Sequence, residues 1–507
     1  MSRILAALHL QQHIGMTSTT FPAAKLLGAQ RMGLAVQAMT GSANISRLAS
    51  ENNVSRKFVY QQKNLAFEAI NDAFAPTAAD DEVLFYLPVT KAWLRQVVLA
   101  LTLICHSSYR GVVEFMRDIL GIAMSVGSVH NLHQLASQRA AAINSTQDLS
   151  QIRVGLHDEI FHCNEPVLVG VDAHSTYCYL LSSAEHRDAD TWAIHLLYAC
   201  DQGFNPDYLV ADQGTGLRAG QAIVWKDKPC HGDVFHILQQ CESLANVLAS
   251  VAQGAITRCQ EMEVKMDVAK EEGVGRTLAR QLGKARRDQL QSSLLAKDVK
   301  TLTQWLRRDV LELAGPCLAI RLELYDFVTA ELRAREHLDK KRIGKVRVAL
   351  QNQRDDLLAF AGVLDSKLEA IAQTHELPMA VVRQACVLQR KPDTSPAYWQ
   401  LWCQLCSQMG HKCHAVFEAV MQAMAETPRC SSMVENLNSR LRNYFTLRRQ
   451  LAGEYLGLLQ FFLNHRTFLR SRVADREGKS PKQLMTGQAH PHWLTLLGFG
   501  QPQPLRA

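Results

Sequence analysis

Every stretch of this sequence with a strand-like pattern lies between Ile152 and Asp212, and a charged, helix-patterned block runs from about Cys241 to Glu426 with no strand pattern after it. A chain so divided cannot be an all-β sandwich or barrel, and a purely helical bundle would leave the β-type runs unexplained. One small sheet with helical matter around it is what remains. At 507 residues the chain exceeds what a single hydrophobic core supports, so two to four domains are expected. Its 47% hydrophobic and 20% charged residues are ordinary for a soluble globular protein. The longest apolar stretch, TKAWLRQVVLALTLICHSSY, is broken by Lys91, Arg95 and His106 and is no membrane span. The 13 scattered cysteines point to reduced thiols in a cytoplasm.

The net charge of +7 favours a polyanionic partner only weakly, but its distribution says more. No Asp or Glu precedes Glu51, and arginines crowd the stretch from Arg440 to Arg476. Residues 1–42 read as a flexible or loosely helical basic arm; an organelle transit peptide has the same composition. In ISRLASENNVSRKFVYQQKNLAFEAI, Ile45, Leu48 and Ala49 mark one helix face, Asn52 and Asn53 a turn, and Val54 a plug. Ser55 then caps a second helix with Val59 facing inward. That spacing predicts a helix-turn-helix over 43–87, offering Arg56, Lys57, Tyr60, Gln61 and Lys63 to a DNA groove; a plain helical hairpin is the other reading. A second helical, DNA-binding region is expected over 88–150, where Ser128 caps a helix carrying His130, Asn131, His133 and Gln134.

From Ile152 the pattern becomes strand-like. IRVGLHDEIFHC alternates, and EPVLVGVDAHSTYCYLLSS folds back near His174–Thr176. RDADTWAIHLLYACDQG reads as a helix and DYLVAD as a short buried parallel strand. Three acids stand out. Asp158 shares a strand face with Val154, Leu156 and Ile160, which aims its carboxylate at the buried side. Asp172, near the end of the next strand, competes with it but suits a turn. Asp212 ends an apolar strand before Gln213-Gly214-Thr215-Gly216, where open α/β sheets bind ligands. Glu435 opens a helix capped by Ser431 or Ser432, beside a stripe of Val434, Leu437, Leu441 and Tyr444, with Asn438, Ser439 and Arg442 on its own face. A buried carboxylate costs several kcal/mol unless compensated, and a cation is the usual compensation.

The order Asp158, Asp212, Glu435, the 54-residue first spacing and the phrases DEIF…PVLVGVDAHSTYCYLL, DQGTG, VENLNSRLR and NHRTFLRSR…GKSPKQLM resemble the DDE transposases of bacterial insertion sequences and the related retroviral integrases. The resemblance covers roughly residues 150–245 and 425–490. The 223-residue second spacing is similar to transposases of the Mutator-like group, which insert a helical domain before the last Glu. That group also has a Cys-or-Asp, two residues, His motif, matched here by Asp233 and His236 in CHGDVFH; a helix-capping Asp with a core His would look identical.

The resemblance implies an α/β RNase H-like core, a mixed sheet flanked by helices. Its first part would span 151–245, an all-α insertion 246–425 and the core's completion with a basic C-terminal region 426–507, behind the all-α helix-turn-helix region. It further implies catalytic, metal-holding Asp158, Asp212 and Glu435, with Asp172, Asp233, His236, Asn438 and Arg442 in support. Two Mg²⁺ ions about 3.5–4 Å apart, replaceable by Mn²⁺, would serve an in-line phosphoryl transfer. The expected partners are double-stranded DNA, namely the element's terminal inverted repeats and its target, and at least one further protomer, in a bacterial cytoplasm at the nucleoid. Arg440, Arg448 and Arg449 join the DNA-binding set. The rival readings are a transposase-derived DNA-binding protein without catalysis, and an RNase H-like nuclease without strand transfer.

Three further features read as structural. Cys403, Cys406, His411, Cys413 and His414 have zinc-ligand types, yet their segment reads as a helix with buried cysteines. Trp305 and Trp399 read as core residues rather than base-stacking platforms. Lys340, Lys341, Arg342, Lys345 and Arg347 read as a solvated helix face.

Overall fold

A computed structural model describes residues 26–74, 87–271, 276–447, 453–471 and 473–503. Arg448 and Arg449 therefore lie outside the described residues. The chain divides into two compact units, Met1–Pro88 and Val89–Ala507.

The first unit contains helices α1 (Gly28–Met39), α2 (Ile45–Glu51) and α3 (Arg56–Phe74). Leu34 and Ala38 of α1, Ala49 of α2 and Val59 of α3 form its small core, with Ile45, Leu48, Val54 and Phe58 packed around them. The turn after α2 is built as the sequence suggests. Asn53 adopts a left-handed φ of 52°, and Ser55 Oγ accepts the Phe58 amide at 3.1 Å, capping α3. Within the stretch read as a flexible or loosely helical arm, residues 28–39 form a helix with a buried face. Leu34, Ala35 and Ala38 make up that face, and Leu34 and Ala38 join the unit's core.

The second unit is mostly helical around one small, open, mixed sheet of five strands. It opens with α4 (Lys91–Leu103), α5 (Tyr109–Asp118) and α6 (Val126–Asn144). Ser125, not Ser128, caps α6. These helices belong to the large unit rather than standing apart: Gln96 donates to the Phe499 carbonyl and Asn144 to the Gly457 carbonyl.

The strands are β1 (Val154–His162), β2 (Glu165–Asp172), β3 (Cys178–Ser183), β4 (Tyr208–Ala211) and β5 (Cys230–Gly232), in spatial order β3-β2-β1-β4-β5. The β1–β2–β3 meander is antiparallel; β4 and β5 run parallel to β1, reached through α7 (Ala189–Asp201) and α8 (Thr215–Val224). Strand β5 is missing from the sequence reading, since three residues carry no measurable periodicity. Side chains alternate across the sheet. Val154, Leu156, Ile160, Val169 and Val210 face one core, and Leu168, Tyr179, Leu209 and Ala211 face another built on Trp192 and Leu217. Gly155 and Gly170 are required here, because a Cβ at either would meet the Tyr179 side chain at 2.5 to 2.7 Å.

The helical block begins directly after β5 with α9 (Val234–Glu271) and continues through α10 (Arg276–Trp305), α11 (Leu318–Arg335), α12 (Lys340–Asn352), α13 (Arg354–Thr374), α14 (Met379–Leu388), α15 (Pro396–Met409) and α16 (Cys413–Ala425). It abuts the sheet's edge, where Leu357 of α13 packs on Gly232 of β5. Its buried Arg321 donates to the carbonyls of Val310, Glu312, Leu313 and Pro316, tying down the loop before α11. Trp305 and Trp399 are 45% and 53% exposed, against the core reading; the Trp305 ring lies tilted against that of Phe327 of α11. Cys406 and Cys413 are bonded to each other, so the cysteines are not all reduced thiols and two of the zinc-type residues are engaged. The basic run forms the start of α12, with Arg342 paired to Asp339 and Arg347 to Glu336.

The chain returns to the sheet with α17 (Ser432–Phe445) and α18 (Gly453–His465), then α19 (Pro481–Thr486) and α20 (Trp493–Leu496). Val434, Leu437, Leu441 and Tyr444 enter the core shared with β1, as their spacing predicts. No described helix is long and apolar enough to cross a membrane.

Candidate metal centre

Asp158 lies in the middle of β1 on the face that also buries Leu156 and Ile160, and is 8% exposed. Its Oδ1 accepts the Glu159 amide at 2.8 Å, and its Oδ2 accepts Asn438 Nδ2 of α17 at 2.9 Å. Burial pushes the Asp158 carboxyl up to about 7; the negative charges of Glu435 and Asp212 push the same way, against the Glu159 amide and the pull of His236. The site thus keeps an acid in apolar surroundings beside other acids, and among the described residues no Lys or Arg forms an ion pair with it.

Helix α17 brings Glu435 across the sheet because its apolar stripe packs on β1. The Ser431 hydroxyl, expected to cap this helix, instead donates to Asp233 Oδ2. Asp233 is 2% exposed, and its Oδ1 accepts the Phe235 amide at 2.7 Å, capping the start of α9. One buried carboxylate thereby pins together two helix starts 198 residues apart. His236, one turn into α9, is aimed at the acids. Its Nε2 lies 3.5 Å from Asp233 Oδ2 and 3.8 Å from Glu435 Oε1, and is buried with no hydrogen-bond partner among the described residues. The short Asp-x-x-His motif splits in two: the Asp caps, and the His faces the site.

Asp158, Glu435 and His236 each present one ligand atom within 4.8 Å of the others, the one such group among the described residues. Asp212 lies outside this set, although its charge reaches Asp158. It follows β4, and its Oδ1 accepts the Gly214 amide at 2.8 Å in the turn before α8. Arg218, a residue that the sequence reading missed, holds the Asp212 carbonyl at 2.9 Å and pairs with Asp356 of α13 at 2.5 Å, so the helical block fixes the Asp212 turn. No local signal announces such a pairing, since Arg218 and Asp356 sit 138 residues apart.

Asp172 stands apart from the acids. It closes the β2–β3 turn by accepting the His174 and Ser175 amides and the Ser175 hydroxyl. Arg440 is half-buried and Arg442 exposed on α17. His130 and Asn131 are exposed on α6, whereas His133 is buried and shares a 2.8 Å hydrogen bond with Thr102. In the first unit Arg56, Lys57, Tyr60 and Gln61 are exposed and Lys63 is half-buried.

Two carboxylates and an imidazole suit a divalent cation with borderline tolerance for nitrogen, such as Mn²⁺, and carboxylates suit Mg²⁺. The residues fit: the uncompensated Asp158 charge and the orphan His236 nitrogen are what a cation would satisfy. No protein-family model matches this chain, and it matches no curated protein.

Proposed function

We propose that this protein is a DDE-type transposase: a metal-dependent phosphoryl-transfer enzyme that binds the terminal inverted repeats of a mobile element, cleaves DNA and joins it to a target. The observation that carries the reading is the convergence of Asp158, Glu435 and His236 from three distant elements onto one volume, with the field of Asp212 felt there. Acids 277 residues apart in sequence do not meet at a buried strand by surface accident. The five-stranded mixed sheet, with the acid-bearing β1 at its centre and Asp212 after the adjacent parallel strand, supports an RNase H-like core. The helical block between β5 and α17 supports the Mutator-like placement of an insertion before the last Glu.

In this reading Asp158, Glu435 and His236 would hold one divalent cation, and Asp212 would help to hold a second. Bound there, such ions supply an activated oxygen nucleophile and stabilise the leaving oxygen of an in-line displacement. Asn438 orients Asp158, Ser431 and Asp233 set the spacing between α17 and α9, and Arg218 fixes the Asp212 turn. The exposed Arg56, Lys57, Tyr60 and Gln61 at the start of α3 would enter a DNA groove, with a second protomer needed to join two ends. The deciding experiment incubates the purified protein with Mg²⁺ or Mn²⁺ and the DNA flanking its own gene, then maps nicks at nucleotide resolution. Nicks at a repeat boundary support the reading. Intact DNA under both metals, from folded protein that binds the same DNA, leaves a non-catalytic DNA-binding protein; scattered nicks without joined products leave a nuclease.

A further inference from the structure

The other flank of α17 carries a second charged site. At 100° per residue, Ser432, Asn436 and Arg440 fall on the opposite side of the apolar stripe from Glu435 and Asn438. There α17, α18 and the segment after α18 enclose a cavity of about 380 Å³, lined by Arg440, Arg470 and Arg476 with Ser432, Asn436 and Thr176. That volume is in the range of small-ligand sites, roughly 300–1,000 Å³.

Its charge is unbalanced. Among the described residues no carboxylate pairs with Arg440, Arg470 or Arg476. Arg476 spends one nitrogen on the His174 carbonyl at 2.7 Å. Burial lowers the affinity of both Arg440 and Arg476 for their protons, and Arg466 adds further positive charge beside Arg440. Arg440 and Arg476 are partly removed from water, and only Arg476 feels a nearby carboxylate, Asp172, which does not pair with it; guanidinium groups so placed are costly, and their planar donor forks match phosphate oxygens. Hydroxyl and amide donors from Ser432, Thr176 and Asn436 complete a lining made for an anion rather than a cation.

We infer that this cavity binds a backbone phosphate of the DNA substrate, gripped by Arg440, Arg470 and Arg476. The identity of the anion as DNA rests on the transposase reading; the existence of an oxyanion site does not. A helix about 10 Å across separates this flank from the acids, a span of a few nucleotides along a strand. The cavity would then hold a phosphate a few nucleotides along the strand from the one at the metal centre.

The test is a salt titration of binding between full-length protein and a fluorescent mixed-sequence DNA duplex in EDTA, read by anisotropy, for wild type, Arg440→Gln, Arg470→Gln and Arg476→Gln. Removing one phosphate-neutralising guanidinium should flatten the log–log slope by about 0.9. Arg440→Lys, which keeps the charge, should restore most of the slope. Should Arg440→Gln fail to fold, Arg470→Gln carries the test, because its side chain is exposed. Unchanged slopes in folded variants overturn the inference. So does a result in which millimolar inorganic phosphate raises the wild-type Tm but not that of Arg440→Gln while the DNA slopes stay equal, since the site then takes a small phosphate. Flattened slopes without any metal-dependent nicking sink the enzymatic reading and leave the pocket standing; nicking with unaltered slopes sinks the pocket alone.

Discussion

Asp158 and Asp172 occupy neighbouring paired strands, both buried, at 8% and 4% exposure, yet they answer burial in opposite ways. Asp172 is surrounded by donors: two amides and the Ser175 hydroxyl point at it, and the positive charge of Arg476 attracts it. Its burial is repaid locally, and the product is a hairpin turn. Asp158 receives one amide and one Asn438 donor, and beyond them it meets Glu435 and the field of Asp212, with His236 pulling the other way. Burial alone therefore marks nothing. What distinguishes a ligand-holding acid from a structural one is that the fold gathers like charges around it and leaves the compensation to something outside the chain.

The largest expected effect separates the two residues by activity. Asp158→Asn or Glu435→Gln should lower metal-dependent DNA nicking by roughly 10³-fold or more, since each removes several kcal/mol of transition-state charge stabilisation. Asp172→Asn, if it folds, should stay within about tenfold of wild type. Gel quantification of nicked product under saturating Mn²⁺ checks this. Comparable losses in Asp158→Asn and Asp172→Asn would erase the distinction.

Next in size is stability without metal, where the signs should oppose. The Asp158 carboxyl titrates at about 7 in the folded protein and near 3.9 unfolded, so the native state holds the extra proton between these values. The cost of its charge is absent below about pH 4, grows as pH rises and is complete above about 7. Asp158→Asn should therefore stabilise the metal-free protein at pH 8 by roughly 2–4 kcal/mol, with the gain shrinking toward pH 5. Asp172→Asn should destabilise by about 1–3 kcal/mol, because an amide cannot accept the same set of donors. Denaturant titrations in EDTA at the two pH values decide it; a destabilised Asp158→Asn at pH 8 would contradict the account of the site.

Smaller again is the effect of the residue that aims Asp158. Asn438→Ala leaves the acids in place but removes the side-chain amide that donates to Asp158. Loss of such an orienting hydrogen bond typically costs about 10–100-fold in metal affinity. Mn²⁺ titration followed by the rise in Tm measures it, and an unchanged affinity would make Asn438 a packing residue.

How far the sequence anticipates this contrast follows from the range of the forces involved. The period of two places Asp158 on the buried face with Leu156 and Ile160, and the α17 stripe points Glu435 along the sheet's flank; both are local regularities. The Asn53–Ser55 turn and the β2–β3 reversal are local as well. What stays illegible is set by long-range meetings: Ser431 on Asp233, Arg218 on Asp356, His236 rather than Asp212 completing the compact ligand set. The packing of helix α1, read only as a loosely helical arm, is hidden for a related reason, since Leu34 and Ala38 join a core only when α2 and α3 close on them. The same holds for Ser125, whose preference over Ser128 as a cap depends on where the Gly121 turn delivers the chain.

The finest division of the two aspartates lies in the turn that satisfies Asp172. Ser175 is fully buried; its hydroxyl donates to Asp172 Oδ2 and accepts the Tyr177 amide at 3.1 Å. Ser175→Ala strips one donor from Asp172 and leaves that buried amide unpaired, a loss of about 1–2 kcal/mol. The two remaining amides keep the turn closed, so nicking and Mn²⁺ affinity should match wild type while the urea midpoint falls. If metal affinity fell with it, the compensation of Asp172 would be coupled to the acid cluster, and the two carboxylates would have to be treated as one electrostatic unit rather than as opposites.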